Sequence, residues 1–330
     1  MVRLGDVNLT APVFLAPMSG VTDAPFRTQA ARFGAPAVVT EMVAGAELAR
    51  KTPEFVRRAA PHDGAGPYIV QLACREPEWM AEGARLATAA GAEIIDINMG
   101  CPAKRVTGGQ AGCALMREPE LARALIAAAV SATDRPVTVK MRLGWDDRSL
   151  NAAEIARIAE GEGAQMITVH GRTRVQFYDG TADWSRIAVA VEATGLPVIA
   201  NGDIATPEDA RAAMAASGAA GVMIGRGAVG RPWRLAQIAA ARGGATCEEP
   251  AREDKIDSLV AQVRASTELY GEKLGVRVVR KHVAAFVDAW AEDYGAPEVG
   301  ARRGDLCRIE GADALINALG DTFVSERIAA

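Results

Sequence analysis

Eight short apolar runs, rich in Val, Ile, Ala and Met, recur along the first two-thirds of the chain. They start near Val13, Ala37, Tyr68, Ile94, Val137, Met166, Val198 and Gly221. Nearly every run ends in polar or turn-forming residues. These are Pro17-Met18, Glu41, Gln71, Asn98-Met-Gly-Cys101-Pro102, Lys140 with Arg142, His170 with Arg172, Asn201-Gly202-Asp203 and Gly225-Arg226. One βα unit takes about 30 residues, and the starts recur at roughly that spacing. The longer interval after Ile94 holds an extended Gly-rich loop, 102–112. Helical stretches fill the gaps at 77–90, 118–131, 151–162 and 207–215, several opening on Pro or Asn and stopping before Gly. Strands alternating with helices predict a parallel sheet, and eight such units predict an α/β fold, a (β/α)₈ TIM barrel with its site at the strand ends.

Alternation within the runs sets two faces. Asp96 and Asn98 share one face, as do Thr138, Lys140 and Arg142, and Thr168, His170 and Arg172. Their neighbours Ile95, Ile97, Val137, Val139, Met141, Ile167 and Val169 take the other. Barrel strands bury the outer face under helices, so the polar set is expected to line the lumen. Burying Lys, His, Asn and Arg costs several kcal/mol unless they find partners. Three strands repeating that cost point to a polar ligand among them. A self-satisfied internal network is the alternative, and apolar packing replaces such networks at little loss.

The seventh run ends in Asn201-Gly-Asp-Ile and the eighth in Gly225-Arg-Gly-Ala-Val-Gly230, followed shortly by Pro232. TIM barrels build phosphate sites here, where glycines let peptide N–H groups approach an anion and Arg226 adds a charged donor. Glycine also serves tight turns, so the position carries more weight than the composition. No P-loop or GxGxxG fingerprint lies in a βαβ setting.

Beyond residue 242 the pattern changes. Residues 242–250 read as a linker. Ile256, Leu259, Val260 and Val263, then Val276, Val279, Val283, Phe286, Val287 and Trp290, fall at helical spacing. Residues 1–242 are therefore expected to form the barrel and 250–330 a small helical domain. A length of 330 residues suits a barrel of about 250 plus such an addition.

A net charge of −4 argues mildly against bulk nucleic-acid binding. The split confirms that any such surface is local: residues 243–330 carry 11 Lys/Arg against 16 Asp/Glu, a net of −5, and the rest carries +1. Arg277, Arg280 and Lys281 fall at i, i+3, i+4, which makes either a basic patch or a solvated face pairing with Glu272 and Asp288. Five cysteines form no CxxC pair and no metal-ligand spacing, and the first residues lack a secretory or membrane segment. Reduced thiols in a cytoplasm are the expectation. Nothing calls for a membrane, a metal or an obligate protein partner.

The segments 17–27 (Pro-Met-Ser-Gly-Val-Thr-Asp-Ala-Pro-Phe-Arg) and Asp96-Ile-Asn98-Met-Gly-Cys101-Pro102 resemble the tRNA-dihydrouridine synthases. So do Lys140-Met-Arg142, His170-Gly-Arg172-Thr, 200–204 (Ala-Asn-Gly-Asp-Ile) and Arg280-Lys281-His282. The likeness spans essentially the whole chain and is greatest to the bacterial B-type branch. It implies an enzyme that carries FMN, takes electrons from NADPH or NADH and reduces a tRNA uridine to 5,6-dihydrouridine. It implies that Pro17, Met18 and Ser19 pack on the flavin ring and that Gln71 and Lys140 bond its polar edge. His170, Asn201, Gly202, Asp203, Gly225 and Arg226 then hold its phosphate. Cys101 becomes the acid, Asn98 and Arg172 touch the base, and the Arg277, Arg280 and Lys281 patch meets the RNA.

The residue chemistry agrees. Hydride addition at C6 of uracil leaves enolate-like charge at O4 and C5, and a proton must reach C5. A cysteine of ordinary acidity, near about 8.5, is largely thiol at neutral pH and can supply it. Cys101 stands between Gly and Pro at a strand end, whereas a small buried hydrophobe is the usual fate of cysteine and the expectation for Cys74 and Cys113. Asp96, one step deeper, is expected to orient its neighbours. Glu41 is either substrate-facing or a rim brace. Three competitors stand beside this reading. One is a flavin barrel acting on a free pyrimidine, as in dihydroorotate or dihydropyrimidine oxidation. Another is a cofactor-free lyase using Lys140 as a Schiff base. The last is a non-catalytic RNA-binding barrel.

Overall fold

A computed structural model of the chain describes residues 1–9 and 11–323. It opens with a hairpin, β1 (Val2–Leu4) and β2 (Val7–Leu9), paired antiparallel. Eight parallel strands follow: β3 (Val13–Leu15), β4 (Ala37–Ala44), β5 (Tyr68–Ala73), β6 (Ile94–Met99), β7 (Val137–Arg142), β8 (Met166–His170), β9 (Val198–Asn201) and β10 (Gly221–Ile224). β10 pairs with β3, so the sheet closes into a barrel. All eight strands begin where the apolar runs begin.

The intervening helices include Pro77–Ala89, Pro119–Ala132, Ala152–Gly161 and Pro207–Ser217. Thr206 and Asp209 close a capping box on the last of these, and Gly218 ends it in the left-handed region. The Gly-rich loop departs from expectation: it contains a helical turn, Lys104–Thr107, and leads into a 3₁₀ turn, Gly112–Arg117.

The outward residues of the strands, such as Ile95, Ile97, Val139, Met141, Ile167 and Val169, join the helices in the main core. The lumen is layered. At its base Phe14, Val39, Ile69, Ile94, Met166, Ile199 and Met223 cluster with Val2, Leu4 and Leu9 of the hairpin. The hairpin therefore plugs the end where the strands start, and Gln165 Oε1, just ahead of β8, accepts from Gly5 N at 2.8 Å. Sequence reasoning passed over this element, although Val2, Leu4, Val7 and Leu9 alternate around a Gly5-Asp6 turn. With the base sealed by apolar side chains, the polar layers face the opposite mouth.

The chain then continues into two long helices, Arg252–Tyr270 and Glu272–Tyr294, and three short ones, Pro297–Ala301, Arg303–Leu306 and Ala312–Thr322. Gly275 lets the long pair approach: a Cβ there falls 2.5 Å from Ser266 O. Their shared core holds Ile256, Val263, Val276, Val279, Val283, Phe286 and Trp290. It also takes in Trp233, which comes from the barrel side of the expected boundary. Phe26 stacks on His282 with centroids 4.7 Å apart, Ser258 donates to Gln29 at 2.9 Å, and Arg231 pairs with Glu292 and Asp293. The expected helical segment reaches residue 330, and its last part, 324–330, lies outside the described residues. Among the described residues no helix is long and apolar enough to cross a membrane.

Candidate active site

Strand register places the polar residues in tiers. Asp96, Thr138 and Met166 lie side by side, then Asn98, Lys140, Thr168 and Ile199, then Arg142, His170 and Asn201. All six strand-end side chains Asn98, Lys140, Arg142, His170, Asn201 and Arg172 are buried.

On one side of the mouth Asp96 anchors a chain of side chains. Its carboxylate accepts from Thr138 Oγ1 at 2.6 Å and from Gln71 Nε2 at 2.7 Å. Gln71 Oε1 accepts from Asn98 Nδ2 at 2.7 Å, and Asn98 Oδ1 accepts from the Gly100 and Cys101 amides at 3.3 and 3.0 Å. Burial pushes Asp96 up to about 6, opposed by those two donors and by Lys140. Cys101 is half-buried at the end of this chain, while Cys74 and Cys113 are buried and pushed up to about 12 by desolvation. Gly112, with φ +60°, closes over Cys101: a Cβ there falls 2.9 Å from Cys101 O and 3.1 Å from its Cβ. Arg142 braces the same turn, donating to Gly100 O at 2.9 Å and to Thr173 O and Phe177 O across the mouth.

On the other side Lys140 Nζ donates to Asn201 Oδ1 at 2.9 Å, and Asn201 Nδ2 to Met223 O at 2.8 Å. Desolvation, followed by repulsion from Arg142, draws Lys140 down to about 8. Desolvation and four surrounding cations, Lys140 first, hold His170 well below its usual range, so its ring is neutral.

Gly202 (φ +115°) and Asp203 (φ +52°) turn the backbone at the end of β9. A Cβ on Gly202 falls 2.7 Å from His170 Cδ2, so only glycine admits the imidazole here. Asp203 accepts from both Arg172 terminal nitrogens at 3.0 and 2.6 Å, from Arg226 at 3.1 Å and from Ala182 N at 2.8 Å. Arg172 also donates to Asp179 O, Gly180 O and neutral His170 Nε2. All its donor directions are taken by protein, and it is 1 % exposed. Arg172 thus braces Asp203 and the turns that follow β8 and β9.

The β3 end contributes Pro17, Met18 and Ser19. Thr22 Oγ1 accepts from Met18 N at 2.9 Å, and Gly225 approaches Met18 Sδ, 3.5 Å from an added Cβ. Glu41 is buried and accepts from Gly20 N at 2.5 Å, which makes it a rim brace. Lys281 donates to Gly20 O, so it touches the mouth loop directly. Arg280 is half-buried and donates to Ile309 O at 3.1 Å, and Arg277 is exposed. The alternative pairings with Glu272 and Asp288 are not made among the described residues: Glu272 caps Ala312 N and Asp288 pairs with Arg303.

Three contributors were missed from the sequence. Thr40 sits in a bulge of β4, where its hydroxyl accepts from Gln71 N at 3.0 Å. Trp184 donates to Gly202 O at 2.7 Å. Tyr178, nearly half exposed, lies against the guanidinium groups of Arg142 and Arg226 at 5.6 and 5.2 Å. An aromatic among basic residues near a strand end was the available signal for Tyr178; the other two depend on tertiary register.

The donor set fits a phosphorylated flavin. Cationic Arg226, neutral His170 and the glycine-lined ends of β9 and β10 suit a phosphate. Lys140 and Gln71 offer donors to a polar ring edge, and the apolar Ala16–Met18 segment offers a floor. Buried Thr168 Oγ1, beside Lys140 in the lumen, has no hydrogen-bond partner among the described residues. The lumen can therefore satisfy one more polar contact.

Comparison with known proteins bears on the same residues. A family model described as Dihydrouridine synthase (Dus) matches residues 14–294. A probable tRNA-dihydrouridine synthase of Rhodobacter capsulatus is 53 % identical over 88 % of this chain and 90 % of its own length. A tRNA-dihydrouridine synthase B of Pseudomonas putida is 42 % identical over 99 % of this chain and 95 % of its own. Among solved structures, histamine dehydrogenase from Rhizobium sp. 4-9 matches with a TM-score of 0.55 at 13 % identity, covering 80 % of this chain and 50 % of that one. The chain thus spans half the length of that structure, and the likeness is one of barrel fold.

Proposed function

Because this chain belongs to the dihydrouridine synthase family, we propose that it reduces one uridine of tRNA to 5,6-dihydrouridine, with FMN at the barrel mouth and NADPH or NADH as electron source. The single observation that carries the reading is half-buried Cys101, whose peptide amide is held just past the end of β6 by Asn98 Oδ1 and whose thiol lies within electrostatic reach of the Lys140 ammonium. A bound flavin supplies the electron pair that saturates the C5–C6 bond of uracil.

The protein's own residues do the rest. His170, Arg226 and the peptide groups of Asn201, Gly202, Asp203 and Gly225 hold the phosphate. Pro17, Met18 and Ser19 form the floor, and Gln71 and Lys140 bond the polar edge. Asn98 has both oxygen contacts spent on Gly100 and Cys101, which leaves an Nδ2 hydrogen for a uracil carbonyl. Cys101 Sγ gives the proton to C5. Arg172 fixes Asp203 and leaves the base to others.

Drawing a stacked uridine into the mouth costs a few kcal/mol, which phosphate contacts elsewhere offset. We assign those contacts to the helical segment beyond residue 250, with exposed Arg277 and, beside it, Arg280 and Lys281. Five free cysteines suit a reducing cytoplasm.

The test uses tRNA from a strain lacking the gene. Incubated with the purified protein and NADPH, it gains dihydrouridine at a defined position; no gain in the presence of bound FMN overturns the reading.

A further inference from the structure

We propose that Asp96 is a positioning residue that sets the donor–acceptor polarity of Gln71 and Asn98, and through them fixes the peptide at Cys101. This rests on the function proposed above. A neutral carboxamide can face either way, and nothing in Gln71 or Asn98 alone decides which end points where. Asp96 decides it. As a carboxylate it only accepts, so Gln71 must turn Nε2 toward it at 2.7 Å. Gln71 Oε1 then faces Asn98, which must donate through Nδ2 at 2.7 Å. That leaves Asn98 Oδ1 toward the amides of Gly100 and Cys101. The members Asp96, Gln71 and Asn98 are buried, so water is a poor substitute for any link.

Two consequences follow. The Cys101 turn is held by an acceptor whose orientation is locked from two residues away on β6 through β5. Asn98 also presents only a donor to the mouth. It therefore accepts a base edge bearing a carbonyl, as in uracil, and opposes one bearing an amino group, as in cytosine.

The test swaps the polarity of one link. Q71E sets two carboxylates face to face. Adding D96N restores a donor to that contact, because the new amide nitrogen faces the carboxylate while its oxygen still accepts from Thr138 Oγ1. D96N alone is milder, since a threonine hydroxyl can also accept. The Q71E charge next to the flavin is common to the single and the double variant, and the double variant has the same total charge as the wild type, so its comparison with both reads the link.

The readouts are thermal midpoint, iodoacetamide labelling rate of Cys101 without tRNA, and kcat with unmodified tRNA. The account expects the double variant to melt higher than Q71E, to label Cys101 at close to the wild-type rate, and to exceed Q71E in kcat by about tenfold, the coupling of directly bonded neighbours. A double variant as unstable, as altered in labelling and as inactive as Q71E overturns the proposal. Failure of the wild-type protein to form dihydrouridine sinks the functional reading instead, and the melting and labelling comparisons still decide this one.

Discussion

Lys140 Nζ at the end of β7 donates to Asn201 Oδ1 at the end of β9, 2.9 Å away, stepping over β8 across the barrel mouth. The bond orders Asn201, whose other end donates to Met223 O of β10. One ammonium thus ties β7 to β9 and, through Asn201, to β10, the strands whose loops are proposed to hold the phosphate, and leaves its other hydrogens for a ligand.

That charge is pH-sensitive in the cofactor-free protein. Burial and then Arg142 lower Lys140 to about 8, with Asp96, Cys101 and Cys113 pulling the other way. A lowered cation is charged below its folded value and neutral above it. FMN affinity of the apoprotein is expected to fall as pH rises through about 8. In K140M it is expected to be at least about tenfold weaker at neutral pH, the loss of one charged hydrogen bond, and flat across that range. Fluorescence titration of FMN measures both; equal pH dependence in the two proteins contradicts the assignment.

Arg172 spends its donors on Asp203, His170 and two peptide oxygens. R172K keeps charge but loses the two-pronged contact. FMN is expected to bind about tenfold or more weakly, by loss of a charged hydrogen bond, while KM for tRNA in FMN-saturated enzyme stays unchanged. A raised KM with FMN affinity intact returns Arg172 to the base.

Arg277 and Lys281 lie on one helix and are expected to separate in function. R277A is expected to weaken tRNA binding and lower its salt slope by about one, with the flavin absorption bands untouched. K281M removes the bond to Gly20 O and is expected to shift those bands with no RNA present. Identical spectra for the two variants rule out the Lys281 link to the mouth.

His282 is 2 % exposed against Phe26, and desolvation followed by Lys281 lowers it to about 3. The folded state therefore excludes a proton that the unfolded chain accepts below 6.5. Its contribution is full above 6.5 and is lost as pH falls toward about 3. Asp23 and Asp96, both raised to about 6, act oppositely as pH falls through 6 toward 3.8. Comparison with H282F, which keeps the ring stack, isolates the histidine. By pH 5 the wild type should lose about 2 kcal/mol that the variant does not. Denaturant melts at pH 7 and 5 check this; parallel losses refute it.

Much of the barrel was legible because its signal is local. A short apolar run with polar alternation fixes both the strand and its lumen face, as Thr138-Val139-Lys140 shows. The hairpin plug was equally local, in the alternation of Val2, Leu4, Val7 and Leu9 around Gly5-Asp6. What stayed hidden depends on how partners meet. Arg172 reads as a free cation until Asp203, 31 residues away, saturates it. Glu41 is ambiguous until Gly20 N reaches it. Lys281 resembles its neighbour Arg277 until the helix packs against the mouth loop. Trp233, assigned to the barrel by position, packs with Phe286 in the helical core.

The most direct test concerns Cys101. Dihydrouridine is counted by mass spectrometry in unmodified tRNA after incubation with NADPH and either wild-type protein or C101A, each with its FMN content and tRNA affinity measured. The account predicts that C101A keeps both ligands and forms dihydrouridine about 10²–10⁴-fold more slowly, the range for loss of a positioned acid. Undiminished formation by C101A, with FMN and tRNA bound, contradicts it.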